Sequence, residues 1–124
     1  MQNKSYCLGL DISSTVVGYC VSISKEKVIH AGYIDVRKET SIKEKAHKVA
    51  NELDKLNLEP SKIIVEDTLS GFGGGRTSQQ TIVKLSKCNA VISYVIEALY
   101  EMDVDHVNVS TPVSYTHLTL PTIA

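Results

Sequence analysis

The sequence predicts an α/β fold, in which helices cover the faces of a mixed β-sheet and the element order is β-β-β-α-β-α-β. Two observations lead to this prediction. Three apolar, β-branched runs follow one another through short links, which is typical of an antiparallel meander. Two later stretches have apolar residues at helical spacing, and each is bordered by a short apolar run, as expected for helices that cross over to further strands.

Length and composition limit the class of protein. The chain has 124 residues, which suits one domain, and 13 basic against 14 acidic residues give a net charge of −1. No apolar run approaches the roughly 20 residues that span a bilayer, so we expect no membrane partner. Cys7, Cys20 and Cys88 include no CxxC pair, which argues against a zinc site or a disulfide framework. We therefore expect a reduced, cytoplasmic protein.

The first half of the chain supplies the meander and the first helix. Strands are predicted over 6–12, 16–23 and 28–36, and a hydroxyl-rich turn separates the first two. Ser41 and Glu44 have the spacing of a capping box, which predicts that a helix begins there. The apolar face of this helix comprises Ile42, Ala46, Val49, Ala50, Leu53 and Leu56.

The second half repeats the pattern of a strand followed by a helix. Residues 62–67 predict a short buried strand, and residues 69–76 form a loop with four of the seven glycines. A long helix is predicted from Thr77 or Ser78 to about residue 100, and a fifth strand over 106–109. The apolar stripe of this helix comprises Ile82, Leu85, Val91, Ile92, Val95, Ile96 and Leu99.

The last twelve residues do not fit this pattern. Residues 113–124 contain no Asp, Glu, Lys or Arg and have no sustained periodicity. Residues 113–122 match the translated read-through of a transposon-based sequencing adapter. We therefore predict an α/β domain over 1–112 that is incomplete at its C-terminus, and a non-native tail over 113–124.

Two acids follow apolar runs at the ends of predicted strands. Asp11 ends the first strand and Glu66 ends the fourth. A carboxylate near a buried strand is costly unless it is paired or binds a metal. If the two strands are neighbours, the pair would suit Mg²⁺ or Mn²⁺, and two such ions suit phosphodiester cleavage. The alternative is that each acid caps a helix or pairs with a lysine.

The strand order, with Asp on strand one and Glu on strand four, resembles the RNase H-like fold. Within that fold the chain resembles the RuvC-type Holliday junction resolvases of phages and bacteria. The matching segments are Leu8–Cys20, Ile63–Asp67, Phe72–Thr81, the long helix and Val107–Thr111.

The resemblance implies a crossover junction endodeoxyribonuclease with a Mg²⁺ or Mn²⁺ cofactor, a four-way or branched DNA substrate and a homodimer. It implies four acids around two metal ions, of which Asp11 and Glu66 match the first two. The other two belong to a C-terminal helix that is missing after Thr111, so we expect this chain to be an inactive fragment. The apolar stripe of the long helix, together with Tyr94, is the candidate dimer surface.

A candidate DNA-contacting region follows the fourth strand. Phe72 is the one phenylalanine and stands among glycines, which suits a wedge at an unstacked base, and in the resembling family an aromatic here contacts the junction. Residues 68–96 contain no acid. The alternatives are a flexible connection and a solvated helix surface. The candidate contacts are Phe72, Gly73, Gly74, Arg76, Thr77, Ser78, Lys84 and Lys87.

Two other functions remain open from the sequence. One is a nucleic-acid-binding module that has the fold without catalysis. The other is a fragment of an actin-like or sugar-kinase-type ATP-binding domain, since those proteins open with a similar strand, turn and strand around residues 8–15. Metal-dependent cleavage would distinguish the nuclease from the first, and ATP binding would favour the second.

Overall fold

A computed structural model of the chain describes residues 6–24, 27–67 and 79–108. The elements follow the predicted order, and their ends lie within two residues of the predicted ones wherever the described residues allow a comparison. They are β1 (Tyr6–Ile12), β2 (Val16–Ser24), β3 (Lys27–Asp35), α1 (Ile42–Asp54), β4 (Pro60–Asp67), α2 (Gln79–Tyr100) and β5 (Asp105–Asn108).

The five strands form one mixed sheet in the order β3-β2-β1-β4-β5. The first three strands pair antiparallel, which confirms the predicted meander. β4 pairs parallel to β1, and β5 pairs parallel to β4. The sheet is therefore built outward from β1, which has β2 on one side and β4 on the other.

The core lies between one face of the sheet and both helices. Alternate residues of β1, namely Leu8, Leu10 and Ile12, are buried in one cluster with residues of α1 and α2. The sequence suggested helices over both faces, but the two described helices pack on the same face. The reason is topological: β4 and β5 are added successively in one direction, and right-handed crossovers in one direction place their helices on one side.

The start of α1 confirms the predicted capping box. The Ser41 hydroxyl accepts a hydrogen bond from the Glu44 backbone N–H at 3.0 Å. The Glu44 carboxylate in turn accepts from the Ser41 backbone N–H at 3.2 Å, so two otherwise unpaired donors are satisfied. Ala46, Val49 and Leu53 carry the buried face of the helix, as their spacing predicted.

Several predictions concern segments outside the described residues. The glycine-rich loop over 69–76 and the tail over 113–124 belong to this group. Among the described residues, no helix is both long enough and apolar enough to cross a membrane.

Candidate active site

The two acids singled out in the sequence lie side by side on the sheet. β1 and β4 are neighbours, and Asp11 is the direct partner of Glu66 in their parallel register. Because Leu10 and Val65 point into the core beneath the helices, the side chains of the next residues, Asp11 and Glu66, share the opposite face. On the other side of Asp11, β2 places Gly18, which adds no side chain to the pair.

The surroundings of the pair disfavour negative charge on both acids. Partial desolvation raises the pKa of Asp11, although its side chain reaches solvent. Desolvation also raises the pKa of Glu66, which is half-buried, and the charge of Asp11 raises it further. Two carboxylates that repel each other at the edge of solvent are stabilised in their charged forms by a bound cation.

The donor set of the pair fits a hard divalent cation. Carboxylate oxygens are the ligands that Mg²⁺ and Mn²⁺ prefer, and Mg²⁺ is commonly held by one or two carboxylates while it keeps several waters. Within residues 6–24, 27–67 and 79–108, no group of three or more His, Cys, Asp or Glu side chains is placed to hold a metal. In the described part of the chain, Asp11 and Glu66 thus form a pair of carboxylates that does not belong to a larger cluster of metal-ligating side chains.

The turn between β1 and β2 closely follows Asp11 and is hydrogen-bonded to a side chain of α1. The buried Lys45 ammonium donates to the carbonyl oxygens of Ser14 at 2.8 Å and of Val36 at 2.6 Å. Inside the turn, the Ser13 hydroxyl accepts from the Val16 backbone N–H at 3.0 Å and donates to the Val16 carbonyl at 2.6 Å. The hydroxyl of Ser13 is thus used within the turn, as in a simple hairpin.

Sequence reasoning missed the role of Lys45. Its position was informative, since it lies three residues after Ile42 and four before Val49, and both belong to the apolar face of α1. A lysine in that stripe must reach solvent or find buried acceptors, and here it finds two carbonyls.

The second helix also contacts both strand ends. The Cys88 thiol lies 3.7 Å from the Ser13 carbonyl oxygen, and the Asn89 amide donates to the Glu66 carbonyl oxygen at 3.4 Å. Ser93, one turn further along, donates to the Asn89 side-chain oxygen at 3.4 Å. Sequence reasoning missed these residues too, although polar Asn89 and Ser93 interrupt a stripe that is otherwise apolar.

The three cysteines have no place in the candidate chemistry. All are free, Cys20 and Cys88 are buried, and Cys7 is half-buried. Burial raises the pKa of each thiol, so the thiolate form that would act as a nucleophile or metal ligand is disfavoured. Cys20 and Cys88 are side chains of the buried core.

Only two of the predicted DNA contacts fall within the described residues. Lys84 and Lys87 are exposed on α2 and line a groove of about 520 Å³ together with Ile42, Gln80 and Val83. The groove lies between the beginnings of α1 and α2, and its two lysines give it a positive charge. The other predicted contacts, Phe72, Gly73, Gly74, Arg76, Thr77 and Ser78, lie outside the described residues.

Comparisons with known proteins identify the fold. No protein-family model matches the chain, and no curated protein sequence is similar to it. Among solved structures, it is similar to Thermus thermophilus RuvC in complex with a Holliday junction substrate, with a TM-score of 0.64 and 11% identity over 90% of this chain and 68% of that one. The chain has the RuvC-like, RNase H-like fold.

Two further structures agree with this assignment. A second T. thermophilus RuvC structure has a TM-score of 0.60 and 13% identity over 83% of this chain and 63% of that one. The fowlpox virus Holliday junction resolvase has a TM-score of 0.50 and 20% identity over 83% and 60%. The chain thus spans 60–68% of the length of these RuvC-like proteins, and at such identities the likeness concerns the fold.

Proposed function

We propose that this chain carries the nuclease site of a metal-dependent, structure-selective DNA endonuclease of the Holliday junction resolvase type. The observation that supports this most directly is the register of Asp11 and Glu66, which are opposed on adjacent parallel strands of a RuvC-like sheet. A RuvC structure with a similar fold, from Thermus thermophilus, was solved in complex with a Holliday junction substrate.

In the proposed mechanism, Asp11 and Glu66 hold Mg²⁺ or Mn²⁺ at the exposed end of the sheet. Of two such ions, one would activate water and the other would stabilise the leaving oxygen of the phosphodiester. The two carboxylates would hold the cation, and their mutual repulsion favours its binding. Lys45 and Asn89 hold the backbone of the two segments that carry the acids.

The DNA backbone would lie along the start of α2. Exposed Lys84 and Lys87 are suited to contact phosphates, with Phe72, Gly73, Gly74, Arg76, Thr77 and Ser78 as further proposed contacts. Residues 68–96 contain no acid that would repel the phosphates, which supports this placement. A branched substrate is proposed because the fold neighbours act on Holliday junctions.

A homodimer is part of the proposal, although the apolar stripe predicted to form its surface is used in the core at Ile92 and Ile96, which are fully buried. Tyr94, 71% exposed, and Val91 lie on the outer surface of α2, beside exposed Ala90 and Ala98. A large aromatic surrounded by small apolar residues is typical of an interface, because it buries area without steric conflict. A symmetric dimer through this surface, which we call the α2 outer surface, would place two sites on a four-way junction.

The test of the proposed function combines metal binding with junction cleavage. The 124-residue chain, Asp11→Asn and Glu66→Gln are titrated with Mn²⁺ and incubated with a four-way junction and with a linear duplex of the same sequence. We expect wild type to bind Mn²⁺ and to prefer the junction, and both substitutions to abolish Mn²⁺ binding. Any cleavage should require the metal and be lost in both variants.

Two results would contradict this proposal. Junction binding with no Mn²⁺ binding at millimolar concentration would favour the non-catalytic nucleic-acid-binding module. Binding of ATP, with no preference for the junction, would favour the ATP-binding domain fragment. Asp103→Asn is the matched control, because Asp103 is an exposed acid after α2 and should leave metal binding unchanged.

A further inference from the structure

Three polar side chains are buried in the described part of the chain: Lys45, Asn89 and Ser93, with 8%, 9% and 4% of their surface exposed. Burying a polar group costs free energy unless a hydrogen bond replaces its water. Each of the three donates at least one such bond, and the bonds lead to the segments that carry the two acids. The buried polar side chains of the core are therefore connected to the segments that form the candidate site.

Asn89 has a defined orientation. Ser93 follows it by one helical turn and donates to its side-chain oxygen at 3.4 Å. Because the Asn89 oxygen is engaged by Ser93, its NH₂ group points to β4, where it donates to the Glu66 carbonyl oxygen at 3.4 Å. The pair thus connects the interior of α2 to the main chain of one acid.

We infer that Asn89, oriented by Ser93, is a positioning residue for the Glu66 carboxylate. The inference rests on the proposed function, in which Glu66 holds the metal. Asn89 lies on the helix side of the sheet and contacts the Glu66 main chain, whereas the carboxylate lies on the opposite face. Asn89 therefore acts through the backbone of Glu66 and does not itself touch the metal.

The physical reason is that a cation is held only where both carboxylates are in place. Removing the Asn89 donor frees the backbone at Glu66 to shift, which changes the spacing between its carboxylate and that of Asp11. Residues that orient metal ligands typically change metal affinity 10–100-fold when replaced, and we expect a loss of about 10-fold for Asn89→Leu.

The test measures Mn²⁺ affinity, from the electron paramagnetic resonance signal of free Mn²⁺, alongside the melting temperature. The proteins are wild type, Asn89→Leu, Asn89→Gln and Ile92→Val, all in the 124-residue chain. Asn89→Gln retains the amide donor and should recover part of the affinity. Ile92→Val is the matched control, since Ile92 is fully buried in α2 and should lose melting temperature without losing Mn²⁺ affinity.

Separate outcomes decide the inference and the function on which it rests. Asn89→Leu with wild-type Mn²⁺ affinity, in a chain whose binding is lost in Glu66→Gln, would overturn the positioning role alone. No Mn²⁺ binding by wild type would overturn both. If Asn89→Leu does not fold, Ser93→Ala is measured in its place. We expect a smaller loss of Mn²⁺ affinity for this variant, because the Asn89 amide is still present and loses only the hydrogen bond that orients it.

Discussion

Asp11 and Glu66 lie directly opposite each other on β1 and β4, and the charge of Asp11 contributes to the raised pKa of Glu66. In Asp11→Asn this repulsion is absent, so the pKa of Glu66 should fall toward its ordinary value of 4.5. Desolvation remains, so it should not fall below that value. An NMR titration of the Glu66 side chain in both proteins measures the change, and an unchanged pKa would contradict the pairing.

The same pair should make the metal-free fold less stable as pH rises. Both acids have a raised pKa in the folded state, so at these two sites the folded chain binds more protons than the unfolded chain. The contribution of the pair to stability is therefore most favourable below the ordinary pKa values of 3.8 and 4.5 and is lost as pH rises through the raised values. Glu66→Gln should flatten this dependence in melting curves taken in EDTA, whereas the exposed control Asp103→Asn should not.

Divalent cations should offset the destabilisation that the charged forms of Asp11 and Glu66 cause. A metal that binds the folded chain at 100 times its dissociation constant stabilises it by about 2.7 kcal/mol. We expect Mg²⁺ or Mn²⁺ to raise the melting temperature of wild type but not of Glu66→Gln. Sodium chloride at equal ionic strength is the control. An equal rise in melting temperature with sodium chloride would mean that ions only screen the repulsion between the acids and that no specific metal site exists.

Lys45 should contribute strongly to stability. Lys45→Met removes both donors from the Ser14 and Val36 carbonyls, and hydrogen bonds from a charged group contribute about 1.5–3 kcal/mol. We expect a loss of about 2 kcal/mol in urea unfolding, because the gain from removing a buried charge offsets part of the two lost bonds. Lys43→Met, on the exposed side of the same helix, should change stability little, and equal effects would contradict the buried role.

Lys84 and Lys87 should contribute to DNA affinity through charge alone. Their replacement by alanine should weaken binding to junction and duplex alike and lower the slope of log affinity against log salt by about 1 per lysine. Fluorescence anisotropy at several salt concentrations measures both. Lys43→Ala, a lysine of α1 outside the groove, provides the comparison, and an equal loss there would argue against a defined DNA surface.

The α2 outer surface should determine the oligomeric state. Tyr94→Asp places a charge in the proposed interface and should convert a dimer to a monomer, as measured by light scattering. Tyr33→Asp is the control, because Tyr33 is similarly exposed, at 61%, but lies on edge strand β3. A monomeric wild type would contradict the proposed dimer.

The element order was predictable because each element has a local pattern. The Ser41–Glu44 capping box and the apolar run of β1 are readable over a few residues, and the structure confirms both. Asp11 and Glu66 could be singled out together before the structure was known, since each follows an apolar run. Whether the two acids are register partners depends on the pairing of strands that are distant in sequence. From the sequence alone, we could therefore state only what would follow if those strands were neighbours.

The hydrogen bonds by which α1 and α2 support the candidate site could not be predicted from sequence patterns. Lys45 and Asn89 reach main-chain carbonyls, and a carbonyl is present at every residue, so no sequence feature marks the acceptor. The sequence does show that each of these polar residues lies within an apolar stripe of its helix. That anomaly indicates that a buried partner exists but not which segment provides it.

The central position of β1 also has a consequence for how the chain assembles during synthesis. Its partner β2 is adjacent in sequence, so the meander can form as soon as the ribosome has released it, whereas β4 must wait until α1 has emerged. The electrostatic conflict between the acids therefore arises only when β4 docks. If the pair binds Mg²⁺ as proposed, we expect the ion to favour this step, so that the pairing of β4 with β1 and the binding of the ion become one event.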